Sequence, residues 1–279
     1  MLSSAIFRKL LLPAAIFFIM CESRAANGLV FEYDTFDYAG MNLPYRSVVS
    51  GEDNSGAPAL VIYLHGGSSK GSDNETQMHE PAIDSIATYL VDNKIHAVFL
   101  VPQCPPDKSW GGPMLSAIKG LVDKYTKSLV DDARIYIFGG SMGGTGTWSM
   151  LSAYPHVFAA AMPVAGNPSK CDARSVSHTP VYTVMGTVDR IMNIETTSNF
   201  IDELTAAGGD CRFEIENGWT HETTCIQSYT AARLDWVFGH ILDSAGTGKI
   251  DAGNEEIISV VKYSLDGKLL RENVTTGFY

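Results

Sequence analysis

Apolar positions in this chain fall into short unbroken runs, separated by longer stretches of helical composition. Ala59-Leu60-Val61-Ile62-Tyr63-Leu64, Ile95 to Val101, Ile135 to Phe138, Phe158 to Val164 and Val181 to Met185 are runs rich in β-branched and aromatic residues. Runs of this kind predict strands buried on both faces. A further strand is expected from Arg212 to Glu216, and Val30 to Tyr33 with Tyr45 to Val49 read as an early hairpin. The intervening stretches predict helices at about Glu75 to Asp92, Pro113 to Leu129, Thr145 to Tyr154, Glu195 to Ala207 and Thr223 to Leu242. Strands alternating with helices imply parallel βαβ units and an α/β fold, a mostly parallel sheet with helices on both faces.

In such a sheet the reactive loops gather at the carboxyl ends of the strands. His65, Gln103, Ser141, Gly166, Asp189 and His221 each lie just after a predicted strand. One of these junctions stands out. Ile135-Tyr136-Ile137-Phe138 runs straight into Gly139-Gly140-Ser141-Met142-Gly143, and helical composition follows. Strand, glycine turn carrying one serine, helix is the context of a nucleophile elbow. A turn this tight predicts that a Cβ at Gly139 or Gly143 would strike neighbouring main chain.

A serine hydroxyl needs a base to take its proton, and the base needs a third group to orient it. Elbow hydrolases carry these partners in the order serine, acid, histidine. Downstream histidines are His156, His178, His221 and His240. His221 sits in the loop Gly218-Trp219-Thr220-His221 after a strand, whereas His240 falls within the last predicted helix, His156 beside Pro155 and His178 in a surface loop. His221 is therefore the expected base. Asp189 directly follows the strand ending at Met185 through Gly186-Thr187-Val188, and is preferred as the acid over Asp172 and Asp202. Two backbone N–H groups should form an oxyanion hole: that of Met142, after the nucleophile, and one from His65-Gly66-Gly67, assigned to Gly67. His65 itself is expected to brace this loop by hydrogen bonding.

Composition narrows the class further. The chain has 279 residues, 45% of them hydrophobic and 18% charged, enough for one sizeable catalytic domain. A net charge of −11 without a basic cluster argues against nucleic-acid or anionic-membrane partners. Arg8 and Lys9 precede an apolar run from Leu10 to Met20, followed by Ser23-Arg24-Ala25. This reads as a secretory signal over residues 1–25, too short to span a bilayer. Cys21 raises the option of a lipid anchor, but Met20 is not the small residue such a site takes, so plain cleavage and a secreted or periplasmic location are expected. Cys104, Cys171, Cys211 and Cys225 then remain, with three possible full pairings and no metal-ligand spacing. The catalytic domain is expected over residues 26–242. Residues 243–279 read as a linker, from Asp243 to Lys249, and a hairpin turning at Asp266-Gly267.

Several motifs in order resemble one family. His65-Gly66-Gly67 with Gly71-Ser72-Asp73-Asn74, Val101-Pro102-Gln103-Cys104-Pro105 with Trp110, the elbow with Tyr154-Pro155, Gly186-x-x-Asp189 and Gly218-x-x-His221 are similar to secreted α/β-hydrolases related to polyhydroxybutyrate depolymerases, feruloyl esterases and acetylxylan esterases. The resemblance covers roughly Ala59 to His240. It implies the α/β-hydrolase fold and hydrolysis of carboxylic esters through an acyl-serine, without metal or cofactor. Feruloyl or acetyl esters of plant polysaccharide are among the substrates it implies. Gln103 and Trp110 would then lie near the substrate, and Trp219 beside His221 is assigned to the same pocket. Two other readings share these residues: a serine peptidase of the prolyl-oligopeptidase kind, and a non-catalytic binding module on a hydrolase scaffold. The tail, from Val261 to Lys268 and Gly277-Phe278-Tyr279, resembles part of a C-terminal sorting module of exported Bacteroidetes proteins.

Overall fold

A computed structural model describes residues 25–26, 28–51, 56–127, 129–243, 248–250, 261–263 and 269–271. Its centre is an eight-stranded sheet: β1 (Glu32–Tyr38), β2 (Met41–Ser50), β3 (Ala59–Leu64), β4 (Ala97–Pro102), β5 (Ile135–Gly140), β6 (Ala160–Val164), β7 (Val181–Gly186) and β8 (Cys211–Glu216). Their spatial order is β8-β7-β6-β5-β3-β4-β2-β1. β1 and β2 pair antiparallel, as does β2 with β4, and every other pairing is parallel. This is the α/β-hydrolase fold that the resemblance implies.

The unbroken apolar runs are explained by burial from both sides. Along β3, Leu60, Ile62 and Leu64 face one layer of helices while Val61 and Tyr63 face the other. The first layer is α2 (Pro113–Thr126), α3 (Met142–Ala153) and α5 (Ile194–Ala206), packed through Ile118, Leu121, Trp148, Leu151, Phe200 and Leu204. The second is α1 (Pro81–Asp92) and, near the carboxyl end of the chain, residues 231–238, packed through Ile83, Ile86, Leu90, Leu234 and Val237. Beside α3 and α5 in the first layer is the single helical turn α4 (Ala173–Val176), which Asp172 caps by accepting from Ser175 N at 3.0 Å.

Two expectations change near the end of the chain. The helix predicted from Thr223 to Leu242 is two helices, α6 (His221–Gln227) and α7 (Ala231–Phe238), followed by a short strand, His240–Leu242. The break falls at Ser228-Tyr229-Thr230, where the Ser228 hydroxyl back-bonds to Thr224 O at 2.6 Å and Thr230 O takes the N–H groups of Arg233 and Leu234. His240 is thus outside α7. The predicted linker also does not leave the domain at once, because Gly248–Ile250 returns to pair antiparallel with His240–Leu242. The hairpin expected in the tail is present as Val261–Tyr263 paired with Leu269–Arg271. Apart from Ala25, the predicted signal lies outside the described residues. Among the described residues no helix is long and apolar enough to cross a membrane.

Candidate active site

The turn between β5 and α3 places Ser141 at φ 58°, ψ −117°, a strained conformation for a residue with a side chain. The glycines around it permit the turn. A Cβ on Gly139 would lie 2.4 Å from Gly143 O, and one on Gly143 only 1.7 Å from Leu64 O. The elbow therefore presses directly on the end of β3.

Two further strand ends deliver the partners. Ser141 Oγ donates to His221 Nε2 at 2.7 Å, and His221 Nδ1 donates to Asp189 Oδ2 at 2.8 Å. An ionised carboxylate only accepts, so Asp189 selects the tautomer that leaves Nε2 open to the serine proton. Asp189 is held in turn: its Oδ1 accepts from Ile191 N at 2.8 Å and Met192 N at 2.9 Å, and its side chain is fully buried. The loops carrying acid and base are also bonded to each other. Val188 N donates to Trp219 O at 3.1 Å, and Gly218 N to Thr187 Oγ1 at 2.7 Å. Thr220 then caps α6 by accepting from Thr223 N at 3.1 Å, fixing His221 as the first helical residue.

The loop after β3 lies against the elbow. A Cβ on Gly66 would sit 3.7 Å from Ser141 Cβ, and one on Gly67 would sit 4.0 Å from Met142 Cβ. Gly67 is exposed and Ser141 and Met142 are half-buried, so this junction opens to solvent. His65 braces the loop from within. Its Nε2 accepts from Cys104 N at 2.9 Å and its Nδ1 donates to Gly66 O at 2.7 Å. Burial pushes its pKa down to about 4, so the ring is neutral, as both bonds require.

Two residues expected at the substrate are buried and bonded within the protein. Gln103 is fully buried; its Oε1 accepts from Asn74 N at 2.7 Å and its Nε2 donates to Asp73 Oδ1 at 2.6 Å. With both amide ends bonded inside the protein, it fastens the Gly71-to-Asn74 loop. Trp110 is 3% exposed, packs edge-on against His65 and donates its indole N–H to His65 O at 2.9 Å. Trp219 remains partly exposed, with the Arg233 guanidinium 5.7 Å over its ring. The rings of His156 and His178 meet tilted at 42° with centroids 3.9 Å apart, and buried His240 is 2.7 Å from Trp236 O through Nδ1.

Sequence reasoning missed Glu80 and Cys225. Glu80 accepts from Gly66 N at 2.6 Å, and the half-buried Cys225 thiol lies behind the elbow, its pKa pushed up to about 12 by desolvation. Neither carries a sequence signal, because Glu80 reaches the site from the residue before α1 and Cys225 from within α6 rather than from a strand end. No disulfide joins Cys104, Cys171 or Cys225. Among the described residues no three His, Cys, Asp or Glu side chains are grouped to hold a metal ion.

The family model of the dienelactone hydrolases matches residues 112–233, which include the elbow, acid and base. Poly(3-hydroxyalkanoate) depolymerase C of Paucimonas lemoignei is 29% identical over 214 residues, covering 74% of this chain and 47% of its own length. A thermostable esterase of known structure superposes with a TM-score of 0.67 at 28% identity, over 75% of this chain and 62% of the other. Est1E of Butyrivibrio proteoclasticus shares the fold, with a TM-score of 0.56 at 18% identity over 73% of this chain and 96% of its own. The chain thus spans about half the length of the depolymerase it matches.

Proposed function

The chain is an α/β-hydrolase related to these esterases, and from that premise we propose that it is an exported serine esterase acting on carboxylic esters. The observation that carries the reading is the continuous hydrogen-bonded line Ser141–His221–Asp189, at 2.7 and 2.8 Å. Ser141 Oγ attacks the ester carbonyl carbon as its proton passes to His221 Nε2. Asp189 stabilises the imidazolium that forms. The N–H groups of Met142 and Gly67 hold the oxyanion of the tetrahedral intermediate. Its collapse breaks the carbon–oxygen bond to the alcohol, which leaves with the proton from His221. Water, deprotonated by His221, then releases the acid from the acyl-serine.

Feruloyl or acetyl esters of plant polysaccharide are the substrates we favour, on the motif set from His65 to His221. A hydroxyacid polyester is the alternative that the depolymerase relative suggests. The loop bearing Asp189 exposes the apolar side chains of Val188 and Ile191. Export rests on Arg8, Lys9 and the apolar run ending at Met20.

The test is release of nitrophenol from a short-chain p-nitrophenyl ester by the protein and by its Ser141→Ala variant. Hydrolysis that disappears in the variant supports the assignment. Equal rates overturn Ser141 as nucleophile, and faster cleavage of a peptide nitroanilide than of the ester points to the peptidase reading.

A further inference from the structure

One carboxyl group lies against this site without belonging to the Ser141–His221–Asp189 line. Glu80, just before α1, is enclosed by three donors from the far side of the loop after β3. Its Oε1 accepts from Gly66 N at 2.6 Å and from Ser69 Oγ at 2.8 Å, and its Oε2 accepts from Tyr63 OH at 2.7 Å. Gly66 stands between this carboxyl group and the nucleophile. A Cβ built on it would be 3.2 Å from Glu80 Oε1 and 3.7 Å from Ser141 Cβ.

The peptide that joins Gly66 to Gly67 carries the N–H assigned to the oxyanion. Because a peptide is planar and trans, that N–H points opposite to the Gly66 carbonyl. The carbonyl is already fixed, 2.7 Å from His65 Nδ1 and 3.3 Å from Ser69 N. Two consecutive glycines would still let the plane swing about the Gly66 backbone. Glu80 removes that freedom by holding the N–H on the other side of Gly66. A carboxylate suits the position, since it accepts from three donors and donates to none. Burial pushes its pKa up against the pull of those donors.

We propose that Glu80 is a positioning residue that fixes the Gly66–Gly67 peptide, so that the Gly67 N–H meets the oxyanion without reorganisation. This rests on the reading of Gly67 as an oxyanion donor. Glu80 touches neither substrate nor reacting atoms; it acts through the peptide it holds.

The experiment compares wild type, Glu80→Ala, Glu80→Asp and Glu80→Gln for kcat and KM on the nitrophenyl ester, for melting temperature, and for inhibition by a phenylboronic acid, which forms a tetrahedral anion on an active serine. Losing an oxyanion donor typically costs about 10²–10³ in kcat, so E80A should lower kcat about 100-fold with KM held within about 3-fold. Boronate inhibition should weaken by a similar factor. E80Q should retain most of kcat, because its carbonyl oxygen still accepts from Gly66 and Ser69 while Tyr63 reverses its hydroxyl. E80D keeps the charge but withdraws it by one methylene, and should lose about 10-fold in kcat; it serves where E80A does not fold. An active wild type with E80A or E80D unchanged in kcat overturns the proposal alone, as does an equal loss in E80Q and E80A. A wild type that neither hydrolyses the ester nor binds the boronate overturns the reading of Ser141, and this proposal with it.

Discussion

The indole N–H of Trp110 donates to the backbone carbonyl of His65 at 2.9 Å, tying the loop after β4 to the end of β3. His65 in turn holds the carbonyl of Gly66, so Trp110 acts on the oxyanion loop at second hand. Replacing it with phenylalanine keeps most of the packing but leaves a buried carbonyl without its donor, a loss of about 1–3 kcal/mol. For a domain of this size that lowers the melting temperature by roughly 5 °C. Trp110→Phe should therefore melt earlier with KM for short esters unchanged. A raised KM at an unchanged melting temperature would put the ring in contact with substrate after all.

His65 also makes stability depend on pH. Its folded pKa is depressed to about 4 by burial, whereas in the unfolded chain it titrates near 6.5. Between these values the unfolded state binds the proton and the folded state does not, so stability rises with pH there. The contribution is fully present above about pH 6.5 and is lost as pH falls towards 4; the shift corresponds to about 3 kcal/mol. Thermal melts across pH 4.5 to 7 should show this slope in the wild type and a flatter one in His65→Gln. Parallel curves would contradict it.

What could be read from the sequence is what depends on local pattern. Buried strands announce themselves as apolar runs, and the elbow glycines are required by contacts that any strand–turn–helix of this kind must make. Ser141 and Asp189 were legible because each follows such a strand, and His221 because it follows the more polar strand β8. Gln103 follows one too, yet its side chain turns back to Asp73 and Asn74, and nothing in the residue order distinguishes a strand end facing the cleft from one facing a loop. Trp110 is a related case: a tryptophan near a site has one polar atom, and only the fold reveals that His65 O takes it. Glu80 was invisible because its partners Tyr63, Gly66 and Ser69 are brought to it by the return of α1 across the sheet. The split of the last helix at Ser228 was missed because Ser228 and Thr230 are tolerated within helices, and the break shows only in their backbone bonds.

Asp189→Asn separates orientation from charge at the base. The amide keeps the shape, but its NH2 group can face His221 Nδ1 and stabilise the tautomer that carries its proton on Nε2. That tautomer cannot accept from Ser141. A fall of about 10³–10⁴-fold in kcat is expected, with the fold intact by circular dichroism and KM nearly constant. Retention of more than a tenth of the activity would mean that Asp189 does not set the tautomer.

Gly143→Ala tests the elbow as a packing problem. The added Cβ would fall 1.7 Å from Leu64 O, which is backbone within β3 and cannot rotate away. Either the elbow or the central strand must move, at a cost above about 4 kcal/mol. The variant should be recovered mainly as aggregate, whereas Ser141→Ala should melt near the wild type. A soluble, active Gly143→Ala would contradict the contact.

Arg233 grips both ends of the segment that carries His221. Its Nε and Nη2 donate to Glu214 Oε2 at 2.9 and 2.6 Å, Nη2 also pairs with Glu216, and Nη1 donates to Ser228 O at 3.2 Å. Glu214 and Glu216 close β8 just before the His221 loop, and Ser228 follows α6 just after it. The same guanidinium covers Trp219, two residues from the base. Arg233→Met keeps the aliphatic stem and removes the fork. The two glutamates are each about a third exposed and can be partly rehydrated, so the loss in stability should be on the order of 1–3 kcal/mol rather than the larger value for a fully buried pair. Without its clamp, α6 can shift by a fraction of an ångström, and alignment of His221 Nε2 with Ser141 Oγ suffers first. We expect kcat to fall about 10-fold with KM held, and Arg233→Lys to recover little, since one ammonium cannot span two carboxylates and a carbonyl. Steady-state kinetics beside a melting curve decides it: lower stability with unchanged kcat would limit Arg233 to holding β8 against α7.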